Sequence, residues 1–262
     1  MPDKIQIEIT TRCNFDCFYC AGRHMPQKDM PLDLAYSIID KHVRPGMEVN
    51  LQGEGEPVLA KHFWSIVQRV HEKGGLPYII TNAGYTITPQ MAENFIQYFN
   101  KVHVSLDTTD PERAEKTGRH NIHRVMDNIL KFGDLLGKEN VGIVIVSIGR
   151  KDIESVINFA TRNGIKNVSA QSLQTKDDYM IKYKLDYKED YHLKCPYLER
   201  DIMRYFNVEG IELPCCFIKD TTQYVSAQKL REQMHKGIVP QSCKGCRFIR
   251  NQETKKVIVR TS

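Results

Sequence analysis

The sequence predicts an α/β protein whose parallel sheet curls into a barrel or part of one, with a small cysteine-rich hairpin and helix unit behind it. Strand-like and helical stretches alternate through the first two thirds of the chain, and strand–helix–strand in series gives parallel strands with right-handed crossovers. The texture changes after about Lys176. The eight cysteines fall in two groups, three within the first twenty residues and five from Cys195 onward.

The elements follow in order. Residues 5–10 alternate Ile5, Ile7 and Ile9 with polar neighbours, a strand pattern. Leu32–His42 has helical spacing and follows Pro31. Residues 48–52 form a short strand that ends in Gly53-Glu54-Gly55-Glu56-Pro57. Residues 63–73 read as a helix stopped by Gly74-Gly75. Strand 77–81 and helix 89–99 come next, then strand 102–106 and a helix over about 122–137. Val141–Ser147 is the most apolar strand, followed by helix 153–163 and a sixth strand at 167–173. Domain boundaries are placed at 1–176 for the barrel, 177–192 for a linker and 193–262 for the cysteine-rich unit. In the linker Tyr179, Tyr183, Tyr187 and Tyr191 recur every four residues, which suits a helix face packed on the barrel.

Composition narrows the function. With 41% hydrophobic and 26% charged residues, the chain is an ordinary globular protein. No apolar run approaches the length of a membrane span. Met1-Pro2-Asp3-Lys4 leads straight into a strand, so no signal peptide is expected. The net charge of +5 is spread, with a small cluster at Lys255, Lys256 and Arg260. That describes a solvated surface, not the concentrated patch of a nucleic-acid groove. Clustered cysteines in such a chain read as metal ligands in a reducing, cytoplasmic compartment.

Cys13, Cys17 and Cys20 follow the first strand with the spacing Cys-x3-Cys-x2-Cys. Three thiolates on one loop can each take one iron of a four-iron, four-sulfur cube, leaving one iron without a protein ligand. A closed zinc site is the alternative, because His24 follows Cys20 at suitable spacing. The barrel rule puts chemistry at the C-terminal strand ends. There lie the cysteine loop, Gly55-Glu56-Pro57, Thr81-Asn82, and Ser105 with Asp107.

This arrangement resembles the radical S-adenosylmethionine (SAM) superfamily. The resemblance rests on the cysteine spacing, on Tyr19 before the last cysteine, on Gly55-Glu56-Pro57 and on Ser105-Leu106-Asp107. It implies a partial (β/α)6 TIM-like barrel. It also implies that the open iron binds the amino and carboxylate groups of SAM, and that one electron then yields a 5′-deoxyadenosyl radical that takes a hydrogen atom from substrate. Tyr19 is implied beside the adenine. Gly55 would pass close to SAM and Glu56 would accept from its ammonium. Ser105 and Asp107 would face the ribose or carboxylate. Asn82 stands where the family has Thr-Asn-Gly, with Ala83 replacing the glycine. Glu54 departs from the family pattern by separating Gly53 from Gly55. Asp107 has a second reading as a cap of the next helix. Arg119 could grip a carboxylate, but a surface ion pair is the simpler expectation.

Residues 193–249 resemble the auxiliary-cluster domains, twitch or SPASM-like, that follow such barrels. Cys195, Cys215, Cys243 and Cys246 are the implied ligands of a second cluster, with a β-hairpin at 208–214 turning at Gly210. Zinc is the alternative for these four as well. The resemblance favours Cys215 over Cys216, because the family's ligand follows the proline. Cys216 is then either a spare apolar residue or a catalytic thiol that returns a hydrogen atom to a substrate radical, as radical SAM epimerases require.

The expected function is therefore a radical SAM oxidoreductase with two 4Fe-4S clusters and SAM. It would take electrons from flavodoxin or ferredoxin and oxidise a small polyhydroxylated substrate such as a sugar or aminocyclitol, like the 2-deoxy-scyllo-inosamine dehydrogenases. Peptide modification, epimerisation through Cys216 and a non-catalytic zinc protein are the alternatives. Molybdenum-cofactor cyclases share Ser-Leu-Asp and Thr117-Gly118-Arg119, but they usually end in Gly-Gly where this chain has Thr261-Ser262. No nucleic acid or membrane partner is expected.

Overall fold

The alternation of Ile5, Ile7 and Ile9 with Gln6, Glu8 and Thr10 builds the first strand with one face apolar and one polar. The three isoleucines are at most 1% exposed, and each contributes on the order of 1.5–3 kcal/mol by its burial. The structure is a computed structural model and describes residues 4–20, 22, 25–172, 193–200, 202–222, 224–246 and 248–251. His24, the four linker tyrosines, Lys255, Lys256 and the terminal Arg260-Thr261-Ser262 lie outside the described residues.

The barrel elements are β1 (Lys4–Ile7), α1 (Leu32–His42), β2 (Glu48–Asn50), α2 (Phe63–Glu72), β3 (Leu76–Tyr78), β4 (Ile80–Thr81) and α3 (Pro89–Tyr98). Then come β5 (Val102–Ser105), α4 (Pro111–Lys116), α5 (Ile122–Leu136), β6 (Val141–Ser147), α6 (Arg150–Arg162) and β7 (Asn167–Ser172). Strands β1, β2 and β3 pair in parallel, as do β4 through β7. The third expected strand is split at Ile79: β3 pairs with β2 and β4 with β5, where the Ile79 carbonyl accepts from His103 N–H at 3.2 Å. The result is the predicted α/β partial barrel, with strands in chain order and no closure among the described residues.

The helices bury their apolar stripes. In α2 these are Phe63, Ile66, Val67 and Val70, at helical spacing. The helix stops at Gly74, whose φ of +73° suits glycine. Phe63, Trp64, Phe95 and Phe99 pack edge-on and tilted between α2 and α3. Helix α4 was not anticipated. Asp110 caps it by accepting from the Glu112 and Arg113 amides, and Pro111 opens it.

Beyond the barrel lie β8 (Leu193–Lys194), α7 (Pro196–Glu199), β9 (Arg204–Phe206), β10 (Glu212–Leu213), α8 (Ala227–His235) and β11 (Arg250–Asn251). The hairpin expected at 208–214 starts earlier than the sequence suggested: its first strand is β9, ahead of residue 208, and it pairs with β10 across a turn that holds Gly210 at φ +75°. Its strand β9 pairs in parallel with β1, so the hairpin extends the barrel sheet. Phe206 and Val208 enter the main core, while Tyr205 and Leu213 join Cys195, Cys215 and Cys243 in a second, smaller core. No helix among the described residues is long and apolar enough to cross a membrane.

Candidate active site

Parallel strands place their C-terminal ends on one rim, and every polar motif of the barrel lies there. The loop bearing Cys13, Cys17 and Cys20 is clamped from several sides. Asp16 N–H donates to Gly118 O at 3.1 Å and Phe18 N–H to Thr117 O at 3.2 Å. Asn82 Nδ2 donates to Asn14 Oδ1 at 2.8 Å and approaches Cys13 Sγ at 3.4 Å. Glu56 N–H donates to Arg12 O at 2.8 Å. That approach requires glycine at 55, where a Cβ would lie 2.6 Å from Thr10 O and 2.7 Å from Arg12 O. Gly55 therefore seats this motif against the cysteine loop itself.

The carboxylates serve different neighbours. Glu56 is 2% exposed. Its oxygens accept from Thr81 Oγ1 and the Asn82 amide, each at 2.6 Å, so it ties the Thr81-Asn82 turn to the rim. Burial outweighs these bonds and raises its pKa to about 7. Ala83 sits at φ +51°, in the left-handed region that glycine occupies more easily. Thr81 Oγ1 accepts from its amide, and Asn128 Nδ2 donates to its carbonyl.

Asp107 is completely buried and pairs with Arg119 Nε at 2.6 Å. It also accepts from the Val146 amide at 2.7 Å and from the Tyr19 hydroxyl. Arg119 donates to Tyr19 Oη and, at 3.0 Å, to the carbonyl of Ser105. Burial disfavours the guanidinium charge, but Asp107 outweighs it and holds Arg119 well above its usual value. Two expectations are corrected here. Arg119 makes a buried ion pair, not a surface one, because the Thr117-Gly118-Arg119 turn folds onto the cysteine loop. Asp107 caps no helix, since Asp110 does that. Ser105, at the end of β5, is half-buried beside this pair.

Glu54 was noted only as a departure, and Glu8 and Lys219 were not singled out. Glu54 contacts Cys20 and Lys219, and Glu8 accepts from the Glu54 amide at 2.7 Å. The interrupted glycine pair was the visible signal for Glu54. Nothing local marked Lys219. Burial, with Glu54 adding, keeps the Cys20 thiol well above its ordinary value, and burial raises Cys17 too. A metal must displace those protons.

The second cysteine set lines a small apolar cavity of about 10 Å³, with Cys195, Cys215, Cys243 and Cys246 in its wall. The Cys243–Cys246 turn closes with Cys246 N–H on Cys243 O at 3.2 Å, and Gly245 adopts φ +77° within it. Cys216 does not line this cavity, and burial pushes its thiol up to about 12. Among the described residues no three His, Cys, Asp or Glu side chains converge for a single metal ion.

Residues 7–161 match the family described as the Radical SAM superfamily. An S-adenosylmethionine-dependent nucleotide dehydratase of Selenomonas ruminantium is 31% identical over 124 residues, 46% of this chain and 45% of that protein. A GTP 3',8-cyclase of Rhizobium leguminosarum bv. trifolii is 28% identical over 175 residues, 62% of this chain and 49% of that protein. The chain spans about half the length of these curated relatives. Streptococcus suis SuiB bound to S-adenosylmethionine superposes with a TM-score of 0.68 at 15% identity, covering 89% of this chain and 65% of that one. BtrN in complex with AdoMet and 2-DOIA superposes with a TM-score of 0.51 at 15% identity, covering 90% and 88%. These structural likenesses speak for the fold, whereas the family match spans more than half of the sequence: the chain belongs to the radical SAM superfamily.

Proposed function

We propose that this protein is a radical SAM oxidoreductase that holds two 4Fe-4S clusters and carries out a two-electron oxidation of a small polyhydroxylated molecule, such as a sugar or aminocyclitol. Cys13, Cys17 and Cys20 would hold the first cluster and leave one iron for SAM. Cys195, Cys215, Cys243 and Cys246 would hold the second, with no iron left open. Bound there, the clusters and SAM would supply hydrogen-atom abstraction from an unactivated C–H bond and an acceptor for the remaining electron. The chain's own share is placement. Asn82 and Glu56 fix one side of the rim, and Asp107 with Arg119 fixes the other and orients Tyr19. Gly55, Ser105 and these polar groups are the proposed SAM contacts. The reading divides the chain at 1–176, 177–192 and 193–262. It takes flavodoxin or ferredoxin as electron donor and a cytoplasmic setting.

The observation that carries this reading is the pairing of two unlike cysteine sets. One is a trio on the strand-end rim, and the other is a quartet around a small apolar cavity. Anaerobic purification tests it. Brown protein with about eight irons per chain that releases 5′-deoxyadenosine on reduction is expected. Cys17→Ala should abolish that release. Colourless protein with stoichiometric zinc refutes the reading.

A second reading, hydrogen abstraction from a nucleotide, is favoured by the sequence relatives, a nucleotide dehydratase and GTP cyclases. Peptide modification draws on SuiB, which has been crystallised with its precursor peptide SuiA. Epimerisation would use Cys216 as the hydrogen donor. Nucleotide, sugar and peptide panels in the same assay separate these substrates.

A further inference from the structure

Glu54 breaks the glycine pair, and no part of the proposed SAM site uses it. Its Oε1 lies 2.5 Å from Lys219 Nζ, and both side chains are largely sequestered, at 19% and 12% exposed. Its Oε2 accepts from Cys20 Sγ at 3.2 Å and from the Gly22 amide at 3.3 Å. Glu8, 1% exposed, holds the Glu54 backbone from beneath. Lys219 comes from the chain just after Cys215-Cys216, and its ammonium lies 5.7 Å from the Tyr205 ring centroid. The Glu8 carboxylate thus takes the Glu54 backbone amide, both carboxylates attract Lys219, and that cation belongs to the cysteine-rich segment. The β1–β9 pairing holds that segment in reach.

We propose that Lys219 is a positioning residue: it crosses from the C-terminal unit to hold Glu54 on the Gly22 amide beside Cys20, so that the amino-terminal metal loop takes its shape only with that unit docked. This rests on the reading of the cysteine trio as cluster ligands. An exposed ion pair would add little. A sequestered one leaves a poorly solvated charge short of its nearest partner when either is removed, with Glu8 the carboxylate that remains near Lys219, so the geometry of its neighbours depends on it. The two cysteine regions are then coupled through one salt bridge as well as through the sheet.

The test compares Lys219→Met, Glu54→Gln and Lys219→Arg with the unaltered full-length chain. Amide hydrogen exchange is read in the metal-free protein, and the SAM-induced change in the electron paramagnetic resonance spectrum is read in the reduced, reconstituted protein. Lys219→Met and Glu54→Gln are expected to speed exchange at the Cys13–Gly22 loop at least about tenfold while β6 amides keep their rates. The SAM-induced spectral change should weaken in both, and Lys219→Arg should restore both readouts. Exchange that rises equally in loop and β6 would mean general destabilisation and would overturn the proposal. So would unaltered loop exchange in Glu54→Gln, which decides the matter even if Lys219→Met fails to fold. Should the unaltered protein take up no cluster, the reading of the trio fails, while exchange in the metal-free chain still judges the bridge.

Discussion

Replacing Asp107 by Asn should be among the most damaging single changes in the barrel. The carboxylate is completely buried and lies 2.6 Å from Arg119 Nε, itself only 5% exposed. At that separation, with an effective dielectric of about 20, the gross attraction is roughly 6 kcal/mol. Desolvation of both ions offsets much of it in the intact pair. Asp107→Asn removes the attraction and leaves Arg119 desolvated and unpaired, so the net loss should be about 3–5 kcal/mol. For a chain of this size that corresponds to a fall in Tm of about 6–20 °C. The assay is urea unfolding of the metal-free chain at pH 7, followed by circular dichroism and by the fluorescence of Trp64, the single tryptophan, which sits in the α2–α3 aromatic cluster. The double change Asp107→Asn with Arg119→Met should recover most of the loss, since no buried charge remains. A single variant within about 1 kcal/mol of the original would place this pair with weak surface bridges and refute the reasoning. A double variant no better than Asp107→Asn would do the same.

Other outcomes can be stated as firmly. Gly55→Ala puts a methyl within 2.7 Å of two backbone carbonyls of the cysteine loop, so it should cost about 1–3 kcal/mol and lower iron uptake; normal iron content and melting would contradict the close seating. Glu56 has its pKa raised from 4.5 to about 7. The folded chain therefore binds a proton more tightly than the unfolded chain, and stability should fall by roughly 3 kcal/mol as pH rises from about 4.5 to 7. In Glu56→Gln that component of the slope should vanish from urea midpoints taken across this window, and midpoints falling in parallel with the original would count against it. Cys216→Ala should keep the full iron content, because Cys215 and not Cys216 lines the cavity with Cys195, Cys243 and Cys246. Loss of about four irons would transfer the ligand role to Cys216, and conversion of an epimerised product to an oxidised one would favour the hydrogen-donor reading.

Much of this molecule is local in origin. Strand alternation at Ile5, Ile7 and Ile9, helical stripes such as Phe63–Val70, and glycine or proline punctuation set the order of elements, because each depends on neighbours a few residues away. The cysteine spacings and the strand-end placement of Gly55, Asn82 and Asp107 are equally local, and they carried the family resemblance. Tertiary structure decided the rest. The parallel seating of β9 on β1 has no connecting turn to announce it. The burial of Arg119 against Asp107, and the reach of Lys219 to Glu54, join residues distant in sequence. Whether such a charge lies in water or in a pair depends on which surfaces the folded sheet brings together, and no window of sequence contains that information.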